Sequence, residues 1–297
     1  MKLLVAIDSS QVATSVVDEA LRRPWPSGTI ACVLHVADWS QLPSEPSLIQ
    51  SVRLSADVLV KAASAKLVRA GLKSNAKVLD GHPRIAIAEY AKKWGADLVL
   101  VGSHGAGGLV RFLLGSVAQA VLRRSPCSVE IVRRPAPDPA TASTPMKILI
   151  GIDGSDCAMD AVKSVAQRPW PPASEIRVIS VIPLIIPFAE TIGLSPTPIY
   201  PSTDLVDTLE KHRRSQAEEA VARARQILSE AGINGRGNDL LPIGDAREVI
   251  VDQAKDWGAD LVVVGSHGYR GVDKFMLGSV SESIAMHAHC SVEVIRK

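Results

Sequence analysis

The chain contains no Gly-Lys dipeptide, so none of its 297 residues can form a GxxxxGK[ST] phosphate loop. It also lacks G-x-G-x-x-G, G-x-S-x-G and H-E-x-x-H. Those absences remove the dinucleotide fingerprint, the hydrolase nucleophile elbow and the zinc-protease helix. Its four cysteines (Cys32, Cys127, Cys157 and Cys290) form no CxxC pair, and their spacing to histidine gives no zinc signature. Cys127 and Cys290 open matching strands and read as small buried hydrophobes. An excess of one charge is missing too: 33 Lys plus Arg against 31 Asp plus Glu leave a net charge of +2. That balance gives no case for nucleic acid or an anionic membrane as the main partner. The basic pairs Arg22-Arg23, Arg123-Arg124, Arg133-Arg134 and Arg213-Arg214 are short and scattered, and read as solvated faces or local phosphate contacts. The apolar start MKLLVAIDSS is too short for a signal peptide and is stopped by Asp8. The later run VISVIPLIIPFA is broken by Pro183 and Pro187. The expectation is a soluble cytoplasmic protein.

What the chain does have is a glycine-spaced block written twice. Residues 102–116 read GSHGAGGLVRFLLGS and residues 265–279 read GSHGYRGVDKFMLGS. Both follow the spacing G-x2-G-x9-G-S, through Gly102, Gly105, Gly115 and Ser116, then Gly265, Gly268, Gly278 and Ser279. Each block follows an apolar run (DLVLV, DLVVV) and precedes a helical pattern. A glycine-rich turn between a strand and a helix lets backbone N–H groups gather round a phosphate.

The duplication extends well beyond the glycines. KLLVAIDSS at 2–10 answers KILIGIDGS at 147–155, and RPWP at 23–26 answers RPWP at 168–171, both offset by 145 residues. WGADLVLVGSHG answers WGADLVVVGSHG, and CSVEIVR answers CSVEVIR, at an offset of 163. The second copy therefore holds about 18 further residues, placed by composition in the proline-bearing stretch 183–202. RPAPDPATASTP between the copies reads as an extended linker. The division is 1–135, a linker at 136–145, and 146–297.

Within each copy strands and helices alternate. In the first, strands are expected at 3–7, 29–36, 77–81, 97–102 and 128–133, with helices after Ser9 or Ser10 and at about 47–70, 84–94 and 116–124. Alternating β and α with continuous apolar strands predicts an α/β fold, two Rossmann-like domains, each a five-stranded parallel sheet flanked by helices. Ligands then sit at the carboxyl ends of the strands, where Asp8 and Asp153 share a cleft with the glycine blocks.

Each candidate residue has a plainer use beside the functional one. Ser116 and Ser279 can bond a phosphate or simply cap a helix. Asp8 and Asp153 can accept hydrogen bonds from a ribose or base, or cap the next helix. His104 and His267 lack a partner at fixed spacing and read as loop residues rather than acid–base groups. Trp25, Trp94, Trp170 and Trp257 recur in both copies and read as packing at helix ends.

Taken together, LLVAID and ILIGID, the WGADLV(L/V)VGSHG pair, the G-x2-G-x9-G-S spacing and the closing CSVEIVR and CSVEVIR make the chain resemble a tandem universal stress protein. The resemblance is to the ATP-binding branch, with an adenine-nucleotide α-hydrolase type of fold. It implies one ATP site from Asp8, Val36, Val101, Gly102, Gly105, Gly115, Ser116 and Val117. It implies a second from Asp153, Val181, Val264, Gly265, Gly268, Gly278, Ser279 and Val280, with magnesium admissible beside the nucleotide. It further implies pairing of the last strands into an intramolecular pseudo-dimer, with a homodimer as a further assembly. One departure stands out: the second copy reads Asp-Gly-Ser at 153–155 where the first reads Asp-Ser-Ser at 8–10. The function implied is nucleotide-dependent regulation in a stress response, with no catalytic residue. A slow ATPase or nucleotidyl-transfer enzyme, and a ligand-free scaffold, stay open as alternatives.

Overall fold

Apolar runs that must be buried on both faces dictate the sheet. The computed structural model describes residues 1–10, 12–38, 45–104, 114–133, 144–184, 203–233, 239–268 and 277–297. In the first copy β1 (Lys2–Ala6), β2 (Ile30–Ala37), β3 (Lys73–Asp80), β4 (Leu98–Gly102) and β5 (Ser128–Val132) alternate with α1 (Val12–Arg22), α2 (Pro46–Arg69), α3 (Pro83–Trp94) and α4 (Ser116–Arg124). The second copy contains β6 (Lys147–Ile152), α5 (Asp156–Ala166), β7 (Glu175–Ser180), α6 (Thr203–Glu230), α7 (Ala246–Trp257), β8 (Leu261–Gly265), α8 (Ser279–His287) and β9 (Ser291–Ile295). Local chemistry sets the helix ends. Pro83 starts α3, where a missing N–H costs nothing, and Gly95 and Gly258 end α3 and α7 in the left-handed conformation at φ 70°.

The strands form one nine-stranded sheet in the order β3-β2-β1-β4-β5-β9-β8-β6-β7. Neighbours within a copy are parallel, and β5 pairs antiparallel with β9. The first copy has all five expected strands. In the second, the strand beside β7 is reduced among the described residues to two bridges, at Leu240 and Ile243. The physical reason is Pro242. Its carbonyl accepts from Ile182 N at 2.8 Å, but it has no N–H to return, so the ladder is interrupted. The stretch 183–202 falls almost wholly outside the described residues.

At the β5–β9 seam the register places Glu130 opposite Glu293, with Val129 opposite Val294 and Ile131 opposite Val292. On the face carrying those valines and Ile131, one apolar core runs unbroken from copy to copy. On the other face the core is split in two, one part under α1 and α2 and one under α5 and α6. The two glutamates lie on that face, fully buried, against arginines from the turns after α1 and α5. Arg23 pairs with Glu130 and lies 3.9 Å from Glu293, while Arg168 bonds Glu293 at 2.9 Å. Trp25 and Trp170 lie beside the guanidiniums: Arg23 is 4.7 Å from the Trp25 ring and Arg168 is 5.2 Å from Trp170. Each indole also donates to a helix-end carbonyl, at Ala20 and Val165. Arg22 adds a bond of 2.8 Å to Asp260 of the second copy. Arg22 and Arg23 are therefore not a solvated face, as their sequence context suggests. Two carboxylates inside apolar strands demand buried counter-charges, and these arginines supply them.

Burial pushes the Glu130 carboxyl up to about 8, against the pull of Arg23 and with help from Glu19 and Glu293. Burial also raises the carboxyl of Glu19, opposed by Arg23 and Arg22. Both groups hold protons more tightly folded than unfolded. Their contribution to stability is complete below the unfolded carboxyl pKa and fades as pH rises toward about 8. The melting temperature should therefore fall between pH 5 and pH 9, and Glu130→Gln should flatten that fall. An unchanged slope in the variant, read by calorimetry across that range, contradicts the assignment.

Candidate functional site

The strand order places the topological switch between β1 and β4 in the first copy, and between β6 and β8 in the second. Crevices for ligands open at the carboxyl ends of such strand pairs. Asp8 and Asp153 follow β1 and β6 there, and Gly102 and Gly265 end β4 and β8. Val101 and Val264 are buried in those strands, and Val36 is buried near the end of β2. Val181 follows β7 and is partly buried, as are Val117 and Val280 in the first turns of α4 and α8.

Each aspartate is held by the chain just after it. Asp153 Oδ1 accepts from Ser155 N at 3.0 Å and Ser155 Oγ at 2.6 Å, and Asp8 makes the same pair with Ser10. Asp153 is not the cap of α5. Ser155 is, accepting from Ala158 N at 3.3 Å at the start of the helix. Between aspartate and serine, Gly154 stands at φ +89°, a backbone angle that an L side chain resists. Ser9 takes no positive φ, so the first copy makes the same carboxylate turn along a different backbone path.

The glycine block closes on that aspartate in the second copy. A Cβ on Gly268 would lie 2.5 Å from Asp153 Oδ2, and one on Gly265 would lie 2.7 Å from the Cys157 carbonyl. Gly278 N donates to Ser266 O at 2.8 Å, and Gly115 N donates to Ser103 O at 2.7 Å in the first copy. These bonds bring each end of the block back to its beginning. Gly105 lies outside the described residues. The structure thus brings Asp153, Gly265, Gly268, Gly278 and Ser279 together around one crevice. In the first copy the strand order puts Asp8 and Gly102 at the same end of the sheet, and the Gly115–Ser103 bond holds the start of α4, at Ser116, beside Gly102.

Ser116 and Ser279 are not N-caps. The caps are Gly115 and Gly278, each serine is the first helical residue, and neither helix start has a side-chain cap. Among the described residues the early N–H groups of α4 and α8 thus have no capping side chain, the condition that favours an anion. The His104 and His267 rings bond the neighbouring Ser103 and Ser266 hydroxyls through Nδ1, at 3.0 and 2.9 Å, and their buried Nε2 atoms have no partner among the described residues. Burial, then the nearby Arg296 charge, lowers the pKa of His267. Ser10, Ser155, Ser103 and Ser266 escaped the sequence reading as site residues. Their signal was the doubled S at positions 10/155 and 103/266.

With this geometry the comparisons fall into place. The universal stress protein family model matches residues 1–133 and 145–296. The chain belongs to the universal stress protein family. It is 39% identical over 79 residues to universal stress protein A homolog 2 of Coxiella burnetii, covering 27% of this chain and 53% of that protein. It is 29% identical over 223 residues to a universal stress protein of Mycobacterium tuberculosis, covering 68% of this chain and 62% of that one. The matched parts thus span between half and two thirds of these relatives' lengths. The crystal structure of a universal stress protein from Archaeoglobus fulgidus superposes with a TM-score of 0.64 at 20% identity, covering 100% of this chain and 96% of its own. That similarity shows the fold. Among the described residues no helix is long and apolar enough to cross a membrane.

In this universal stress protein the contact of Gly265 with α5 is backbone against backbone, so the neighbour cannot swing aside. Gly265→Ala should lower stability by about 1–3 kcal/mol, measured by urea unfolding. Gly232→Ala, where a Cβ meets nothing within 4 Å but φ is +77°, isolates the purely conformational effect.

Proposed function

We propose that this universal stress protein binds ATP in both crevices and acts as a regulatory protein in a stress response. The observation that carries the reading is the meeting of an uncapped helix start with a fixed aspartate: Gly278-Ser279 opens α8 while Gly268 leaves room against Asp153. An uncapped helix start suits the phosphates of the ligand, and an aspartate beside it suits the ribose hydroxyls. In the second copy Asp153 and Val181 would face the nucleoside, with Val264 and Gly265 beside it. Gly268, Gly278, Ser279 and Val280 would surround the phosphates. In the first copy Asp8, Val36, Val101 and Gly102 would take the first role, and Gly105, Gly115, Ser116 and Val117 the second. Magnesium would offset phosphate charge.

The same residues favour binding over turnover. The described part of each crevice brings neither a lysine nor an acid–base pair to the phosphate end, and the two histidines there are tied to serines. Fast phosphoryl transfer needs a positioned proton-handling group there, besides any cation. We further read the copies, joined through β5 and β9, as an intramolecular pseudo-dimer working in the cytoplasm.

Calorimetric titration with ATP should give two sites per chain. Gly268→Glu, which drives a carboxylate into Asp153 and the phosphate end, should leave one. ATP at about 100 times its dissociation constant should add about 2.7 kcal/mol of stability for each occupied site. No binding by the intact chain, and no nucleotide released on denaturing it, would remove the proposal.

A further inference from the structure

Among the described residues the two phosphate ends are unlike in charge. Beside Ser116 the first copy has a groove of about 450 Å³, running along α4 past Gln119 and Ala120 to Arg123 and Arg124 and facing His82, Arg84 and Ile85 at the start of α3. Ser116 and Arg123 are seven residues apart on one helix face, a length of about 10 Å. The lining holds three arginines and no carboxylate. Arg123 is engaged by Glu282 of the second copy at 2.8 Å, whereas Arg84 and Arg124 have no carboxylate partner among the described residues.

The positions 163 residues later reverse this character. Asp245, Glu248 and Glu282 replace His82, Ile85 and Gln119, while Met286 and His287 replace Arg123 and Arg124. The one arginine kept, Arg247, is bonded to Asp245, and that pairing holds the Asp245 carboxyl down at about 2. Glu282 also lies in the first turn of α8, where a carboxylate competes with any anion for the helix start.

From these contrasts we infer that the first copy takes a more highly phosphorylated ligand than the second: a nucleoside polyphosphate whose phosphate chain continues beyond Ser116 into the arginine groove. Free guanidiniums match phosphate oxygens in geometry and charge. Ser116 both lines the groove and opens α4 at the phosphate end of the crevice, so the chain of one ligand can reach from one to the other. This inference rests on the nucleotide reading for the nucleoside half of the ligand, and on the arginines alone for the rest.

Calorimetry on the full chain with adenosine, AMP, ATP, adenosine tetraphosphate and inorganic tripolyphosphate separates the two halves. In the unaltered chain, affinity at one site should rise with each added phosphate and fall steeply with salt. The exposed double variant Arg84→Ala/Arg124→Ala should weaken tetraphosphate and tripolyphosphate binding more than tenfold and leave adenosine and AMP unchanged. Arg247→Ala in the second copy should leave tripolyphosphate binding as it was. Arginine-dependent tripolyphosphate binding without any adenosine or ATP binding would sustain the groove and overturn the nucleotide reading. Equal binding of tetraphosphate and tripolyphosphate by the double variant, or no binding of either by the unaltered chain, overturns the groove.

Discussion

Two buried carboxylates facing each other across a strand pair set the terms for the whole molecule. In an antiparallel ladder directly opposed residues approach to roughly 5 Å, and Glu130 meets Glu293 in that way, both buried from solvent. Such a pair is tolerable only with protons or cations beside it. Arg23 and Arg168 provide the cations, which obliges the turns after α1 and α5 to reach under the seam. The RPWP segments are those turns, and their tryptophans wall the arginines while bonding the helix ends. A one-residue slip of either strand would turn its glutamate into the continuous apolar core on the opposite face, away from the arginines. The charge cluster thus fixes the register as well as the neighbours.

From that register follows the placement of the crevices. Because β5 and β9 run in opposite directions, the parallel strands of the two copies point to opposite ends of one sheet, and their crevices open away from each other. Helices α4 and α8 then lie antiparallel, with Arg123 near the end of one bonded to Glu282 near the start of the other. Arg133, just beyond β5, donates to the Ala285 and Met286 carbonyls at the end of α8. Arg296, just beyond β9, donates to Ser125 O at the end of α4. Each copy therefore satisfies the electronegative end of its partner's site helix while the electropositive start faces the crevice. The seam and the sites share the same two helices, one end each.

Most of this architecture was legible because it rests on patterns that repeat in short windows. Apolar runs such as LVLVG and LVVVG had to be strands buried on both faces, and the helix at 116–124 matched to the residue because glycine precedes it and SPC follows. Asp8 and Asp153 were placed beside the glycine blocks by strand order alone. What escaped depends on partners far along the chain. Arg23 reads as half of a surface pair until Glu130, 107 residues later, is brought against it. The glutamate centred in SVEIV carried the signal, since a charge in a buried strand requires a counter-charge. Pro242 was visible, but its effect appears only once its strand has a neighbour expecting an N–H. Ser116 and Ser279 looked like caps because serine caps helices often. The helix in fact begins one residue earlier than that reading needs, with the cap position left to glycine.

Duplication imposes unequal constraints on the two kinds of site. At the seam the copies touch directly: Glu130 meets its own counterpart Glu293, and Arg23 lies within reach of both glutamates. A change in one copy there alters the electrostatics of the other at once, so both must keep the same chemistry for either to stay folded. In the groove beside α4 and at the matching positions of α8, the side-chain pair that joins the copies among the described residues is Arg123 with Glu282. Charge can be exchanged there without disturbing the sheet, as Gln119 against Glu282 and Arg124 against His287 show. The same holds at the aspartate turn, where Ser9 and Gly154 reach one carboxylate geometry by different backbone routes. A fold locked at its centre and free at its two outward crevices can keep one shape while its sites diverge in the anions they accept.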